Sequence, residues 1–418
     1  MRHNWESIAT LERFGGGTTA VETATRLQLG SPSPGKGAFM RLILYGPTAL
    51  AWWLTARTRP EARGATDDSV LQSGGVSAAA LAYLRERAPF LPIPHHVLTR
   101  LWNRPQPPGC RVHSSRRRYP RGSFLRIDHG ILAACPELCL AHMAQILTFP
   151  QIVRIGSVLC SEFALDPASR GGLLRRKPLT DVARIASYLD RCPSIDGSRP
   201  LREALSFMTE HAYSPPEVFM HMVLGLPARF GGFGLAGSTT NERLAPTQRA
   251  QRVAGRRTLV PDLCWPEEKL VVEYDSNAEH LTPSQITQDA KKRLALEADG
   301  YAVVTVTTSQ LASTESMENV AREIGRRLHR RLRIRASNFR RRQTELYRIG
   351  WSLDGYLDQQ WLTRQRAETQ AMASRGGTAE PKSPVPRLAQ VADIGSGQNY
   401  EGVYALHSPS ERFWPGTS

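Results

Sequence analysis

The most specific chemical signal in this 418-residue sequence is a set of three carboxylates in one short segment. The segment reads VPDLCWPEEKLVVEYDSNAEH and carries Asp262, Glu273 and Asp275 on two apolar runs joined by Pro266-Glu267-Glu268-Lys269. If the runs pair as a hairpin about that turn, Asp262 stands opposite Glu273, and cross-strand neighbours lie about 5 Å apart at Cβ. Glu273 and Asp275 are alternate residues of one strand and share its face. Three carboxylates converging there need a cation. Oxygen-only donors suit Mg2+ or Mn2+, and such an ion activates water and stabilises a phosphate under attack. Acids on an edge strand are ordinarily just solvated. Here Leu270, Val271, Val272 and Tyr274 make the strand apolar on both faces up to the acids, which suits a central strand, where buried acids need a reason.

The supporting residues each admit two readings. Glu217 follows Ser214 at capping-box spacing, so it caps a helix or contacts a metal or water. His280 is a general base or phosphate contact, or a surface histidine before a helix. Asp289 and Arg293 have the spacing of a helical ion pair.

The elements that must position these residues begin at Ser214-Pro215-Pro216-Glu217, a helix start. A Gly-rich loop from Phe230 to Gly237 follows, then strands over Thr258–Cys264 and Leu270–Asp275. Thr282-Pro283-Ser284-Gln285 opens a helix with a capping box and runs to about Asp299, where Gly300 suits the C-cap. Tyr301–Thr307 reads as a buried strand, and a last helix runs from about Ser316 into REIGRRLHRRLRIR. Upstream, helical patterns cover Ala49–Leu54, Ala78–Arg87, Phe149–Phe163, Leu179–Asp190 and Pro200–Glu210. Two short strands flank a turn at Asp128-His129-Gly130, and Pro136 begins a further helix.

The stretch from Ser214 to about Ala336 resembles the Vsr-related branch of PD-(D/E)XK endonuclease-like domains. Pro261-Asp262 and Glu273-Tyr274-Asp275 match that family's strand motifs, and Glu217 matches the acid of its first helix. His280 stands near its histidine, and Asp289 and Arg293 where the next helix carries charge. Asp275 occupies the position where the wider superfamily has a lysine. The resemblance implies a restriction-endonuclease-like mixed sheet flanked by helices, with Asp262 and Glu273 holding Mg2+ (or Mn2+) and Asp275, Glu217 and His280 assisting. The N-terminal half is more weakly similar to AbiEi antitoxin-like proteins, through GSFLRIDHGILAACPELCLAHMA, which implies recognition of DNA or a partner.

The expected fold class is therefore α/β, the endonuclease-like sheet being preceded by a mainly helical α+β region. The expected divisions are a disordered extension over 1–39, an α+β region over 40–130, a helical region over 131–212, the endonuclease-like domain over 213–345, and a helical then disordered tail over 346–418.

Charge fits a phosphate partner. Lys+Arg number 54 against 38 Asp+Glu, a net +16, and only six of the 54 are Lys. Codon bias explains the choice of Arg over Lys but not the excess of positive charge. The stretch Arg322–Arg342 holds ten Arg and one Glu. From it Arg326, Arg327, Arg330 and Arg331, with Arg293, are the expected nucleic-acid contacts. Arg249, Arg252, Arg256 and Arg257 precede the first strand, and Arg116-Arg117-Arg118 with Tyr119 form a separate basic cluster.

Other chemistries find no support. No apolar run is long enough to span a membrane. Cys135, Cys139, Cys160 and Cys192 lack paired short spacing and read as buried thiols of a cytoplasmic protein. No Walker loop, GxSxG elbow or dinucleotide fingerprint is present. The sequence thus predicts a DNA-acting protein with a metal-dependent endonuclease-like domain. The alternative is a non-catalytic DNA-binding or antitoxin-like regulator with a toxin or a repair or defence protein as partner.

Overall fold

The computed structural model describes residues 41–60, 65–72, 75–100, 107–166, 173–275, 283–332, 334 and 337–351. The expected extension over 1–39, His280 and the tail beyond 351 lie outside the described residues.

A six-stranded mixed sheet organises the N-terminal part. Strand β1 (Leu42–Leu44) is wholly buried and leads into helix α1 (Gly46–Thr55), with Pro47 in its first turn. Strand β2 (Ala65–Thr66) follows, then helix α2 (Ala78–Arg87), where the Ser77 hydroxyl accepts from the Ala80 amide at 3.1 Å. Four more strands complete the sheet: β3 (His95–Thr99), β4 (Cys110–Ser114), β5 (Phe124–Asp128) and β6 (Ile131–Ala134). Their order is β2-β5-β6-β1-β3-β4. The β5–β6 hairpin turns at Asp128-His129-Gly130 as predicted. Strands β3 and β4 run parallel, with Leu98 beside His113. The expectation of a mainly helical region misses these two strands, because His, Arg and Pro obscure their apolar pattern.

Helices α3 (Pro136–Met143) and α4 (Phe149–Leu159) then cover the sheet's continuation. The expected helix to Phe163 stops at Leu159, since Phe163–Leu165 forms strand β7 and pairs with β8 (Leu173–Arg175). Helices α5 (Val182–Arg191) and α6 (Ser198–Leu205) follow. Buried Glu137 on α3 accepts from Arg59 at 2.6 Å and from the Thr180 hydroxyl at 2.6 Å, so its charge is fully paired.

The C-terminal part begins with helix α7 (Pro215–Gly225), strand β9 (Thr239–Thr240) and helix α8 (Gln248–Ala254). It continues with β10 (Leu263–Trp265), β11 (Leu270–Asp275), helix α9 (Pro283–Ala298) and β12 (Ala302–Thr307). Helices α10 (Thr308–Ala312), α11 (Thr314–Arg327) and α12 (Phe339–Trp351) close it. The sheet order is β12-β11-β10-β9, with β10–β11 antiparallel and β11–β12 parallel. Short β9 and helices α8 and α10 are added to the predicted elements, and the strand expected over Thr258–Cys264 is confined to Leu263–Trp265. The described residues form an α/β fold built from sheets and helices.

Strand β11 is the centre of this second sheet. Leu270 and Val272 join a hydrophobic core that extends from Leu42 to Tyr347. Val271 faces the other way, into a smaller core with Leu259, Cys264, Ala295 and Leu296. Burial on both faces explains the unbroken apolar run LVV.

The single basic helix expected through Arg335 is instead interrupted. Helix α11 ends at Arg327, the chain turns at left-handed His329 (φ 53°), and the Arg330 amide bonds back to the Gly325 carbonyl at 2.8 Å. Helix α12 then packs beside the turn after α7. There a Cβ on Gly231 (φ 89°) would meet the Arg342 carbonyl oxygen at 2.4 Å, so that contact needs glycine.

Candidate functional site

Hairpin register builds the site. Leu263 pairs with Val272, Cys264 with Val271 and Trp265 with Leu270. One residue further, Asp262 stands opposite Glu273, as the sequence predicts. The turn closes through the Lys269 amide on the Pro266 carbonyl, with Lys269 in the left-handed region at φ 52°.

Asp262 is 5% exposed, and its Oδ2 accepts from the Tyr274 amide at 2.6 Å. Glu273 accepts from Lys292 Nζ at 2.6 Å, with the two side chains only 18% and 16% exposed. Lys292 rises from α9, so helix and strand are joined at the site. This residue was not foreseen. Its signal lay in helical spacing: buried Ala295 and Leu296 follow it by three and four positions, which puts Lys292 on the face turned to the sheet.

The capping box expected at Ser214 does not form, and Glu217 instead accepts from the residues just before its helix and from a distant loop. Its Oε1 accepts from the Ser214 hydroxyl at 2.8 Å, and its Oε2 from the Tyr213 amide at 2.8 Å and the Asn241 side-chain amide at 2.6 Å. It is also close enough to Asp262 to feel its charge. Burial first, and the Asp262 carboxylate second, raise the Glu217 pKa to about 7. Asn241 is a second unforeseen residue. It adopts φ 52°, a conformation asparagine tolerates. Its side chain also donates to the His211 carbonyl at 3.0 Å and its amide to the Asp262 carbonyl at 3.2 Å. The Tyr274 hydroxyl meets Thr308 Oγ1 at 3.0 Å, and burial pushes its pKa up to about 12.

The expected convergence of three carboxylates needs correction. Among the described residues, no group of three or more His, Cys, Asp or Glu side chains is placed to hold a metal ion. Asp275 lies at the end of β11 beside Thr307 of β12, while β10 begins only at Leu263. Asp275 is therefore two residues, about 7 Å of strand, beyond Glu273. Mg2+ commonly takes only one or two protein carboxylates and keeps water for the rest. The oxygen donors of Asp262 and Glu273 fit that demand, provided the Lys292 ammonium shares Glu273 or gives way.

The basic residues divide into paired and outward-facing ones. Arg326 and Arg327 both reach Glu323, the latter at 2.8 Å. Arg330 is a clamp, donating to Glu268 at 2.7 Å and to the Ala236 carbonyl. Arg331 is exposed and has no ion pair among the described residues. Arg293 donates to Thr305 Oγ1 on β12. All six cysteines are buried free thiols, as expected. Among the described residues no helix is long and apolar enough to cross a membrane.

Comparison of the chain with protein-family models, with curated proteins and with solved structures gives no match in any of the three.

Proposed function

We propose that residues 213–345 act on DNA as an endonuclease-like domain of the Vsr-related kind, hydrolysing phosphodiester bonds with Mg2+ or Mn2+. The observation that carries this reading is the acid pair of Asp262, immediately before β10, and Glu273 on its antiparallel partner β11, with Lys292 seated on Glu273. The hairpin of β10 and β11 followed by helix α9 and strand β12 supports the reading.

Asp262 and Glu273 are the residues to hold the ion, which when bound supplies an activated water and charge for the phosphate. Lys292 holds positive charge at a carboxylate that otherwise repels both Asp262 and a phosphate. Glu217, with its pKa near neutrality beside Asp262, can store or release a proton at the edge of the site. Arg331 and Arg293 offer backbone contacts that carry no sequence choice. We read the chain as cytoplasmic, where a reducing compartment keeps its thiols free.

The test is nicking of supercoiled plasmid by the purified full chain with Mg2+ or Mn2+. Activity abolished in Asp262→Asn and Glu273→Gln supports the reading; activity retained in either overturns it.

A second reading, a DNA-binding or antitoxin-like regulator without catalysis, is favoured by one observation. Protein donors already occupy Asp262, Glu273 and Glu217. It predicts salt-sensitive binding of DNA, or of a toxin or a repair or defence protein, with no response to Mn2+.

A further inference from the structure

Folding redistributes the positive charge. Within the basic stretch Arg322–Arg342, Arg322 and Arg340 both reach Glu318, Arg326 and Arg327 both reach Glu323, and Arg330 reaches Glu268. Five arginines there share three carboxylates. The segment from Arg243 to Pro261 is different. It carries Arg243, Arg249, Arg252, Arg256 and Arg257 and no acid. All of these arginines are exposed, and none makes an ion pair among the described residues.

Helix α8 holds them in place. Ala250 is wholly buried, in the small core with Ala295 and Leu296 of α9. Arg249 and Arg252 are three apart on α8 and share its exposed face. The Thr247 hydroxyl accepts from the Ala250 amide and caps the helix, and left-handed Gly255 (φ 66°) ends it. Arg256 then donates to the Gln288 side chain of α9 at 3.2 Å. Beyond it the Leu244 and Leu259 backbones pair at 2.8 and 3.1 Å. The bordering acids are engaged by other donors: Glu242 accepts from the Thr239 hydroxyl, and Asp299 from the Thr247 amide at 3.1 Å.

Like charges gathered with no acid among them repel unless a polyanion neutralises them. Guanidinium forks match phosphate oxygens in bidentate geometry. No large apolar side chain of the segment is exposed, which favours a phosphodiester backbone over a lipid surface. Asp262 follows Arg257 by five residues, a span of at most about 17 Å. A strand seated on these arginines therefore lies within reach of the acid pair.

We propose that the exposed face of α8, Arg249 and Arg252 continued by Arg256 and Arg257, is the principal seat of a DNA backbone, ahead of the basic stretch Arg322–Arg342. This rests on the reading of the chain as a DNA-acting protein, though not on its hydrolysis. Contacts of this kind fix where the duplex lies and leave its sequence unread.

Binding of a duplex oligonucleotide to the full chain, measured in EDTA across a salt series, tests it. In the double variant Arg249→Gln with Arg252→Gln, affinity falls and the slope of log affinity against log salt drops by about two. The unfolding temperature stays as it was, because Arg252 donates only to the Gln248 carbonyl of its own helix and Arg249 makes no ion pair. Arg326→Gln, whose partner Glu323 keeps Arg327, retains the native slope. Asp262→Asn retains it too, which separates this surface from the acid pair. A native slope in the double variant overturns the proposal, as does an equal loss in Arg326→Gln or failure of the native chain to bind duplex. So does capture by phosphatidylserine-containing vesicles as tight as by the duplex, which makes a lipid surface the partner. If the native chain leaves plasmid intact with Mg2+ or Mn2+ while the double variant still lowers the slope, the hydrolytic reading fails and this surface stands.

Discussion

Lys292 Nζ lies 2.6 Å from Glu273 Oε2 and ties helix α9 to the central strand β11. Both side chains are largely withdrawn from water, so the pair is more than a surface contact. Replacing Lys292 by Met takes this partner from a carboxylate side chain that is only 18% exposed. The expected cost is about 1–3 kcal/mol, below that of a fully buried pair because some solvent remains. Urea denaturation measures it, and Lys292→Arg should recover part of the loss. An unchanged midpoint in Lys292→Met would show that the pair does not hold the helix.

Glu217 makes stability depend on pH in a direction opposite to that of most acids. Its folded pKa of about 7 stands above the ordinary 4.5. The folded state therefore binds the proton more tightly, and the stability this confers is full below about 4.5. It is lost as pH rises through about 7. Glu217→Gln mimics the protonated acid: its carbonyl accepts from Tyr213 and Asn241 while its amide donates to Ser214. The variant should flatten this part of the stability profile and be the more stable protein at pH 8, by thermal unfolding across a pH series.

Asn241 is held by two side-chain hydrogen bonds in a left-handed conformation. Asn241→Ala loses both bonds and adds backbone strain, a combined cost of about 2–4 kcal/mol. Asn241→Gly loses the bonds alone. A glycine variant more stable than the alanine variant isolates the conformational share.

Arg330 and Arg331 are neighbours with different duties. Arg330→Ala removes the clamp on Glu268 and the Ala236 carbonyl, so it lowers the unfolding temperature. Arg331→Ala should leave that temperature unchanged, weaken DNA binding uniformly across sequences, and reduce the salt dependence by about one phosphate contact. Filter binding at several salt concentrations distinguishes the two. If Arg331→Ala leaves the salt slope as it was, the backbone contact lies elsewhere.

The hairpin carrying Asp262 and Glu273 was legible because several signals agreed. Pro266 marks the turn, LVV marks a strand buried on both sides, and a single register brings the acids together. Helix α2 was equally clear, from Ala78 to Arg87. Lys292 escaped because a lysine beside an arginine on a charged helix reads as a solvated face; only the buried pair Ala295 and Leu296 gives its orientation. Asn241 escaped because a left-handed asparagine in a loop leaves no periodic trace. Strands β3 and β4 stayed hidden for a different reason: their burial comes from neighbouring strands distant in sequence, while His95, His96 and Arg111 make them look polar. The break after Arg327 was missed because leucines at 328 and 332 keep helical spacing through a turn that leaves the helix.

Strand β11 has Leu270 and Val272 anchored in one core and Val271 in the other. Its amides at the centre can exchange with solvent only when both hydrophobic layers separate, which is close to complete unfolding. The carboxylate of Glu273 thus follows directly on backbone buried on both faces, and its position should persist while surrounding loops fluctuate. Any adjustment needed to admit a ligand beside Glu273 must then come from the long side chain of Lys292, the movable half of the pair.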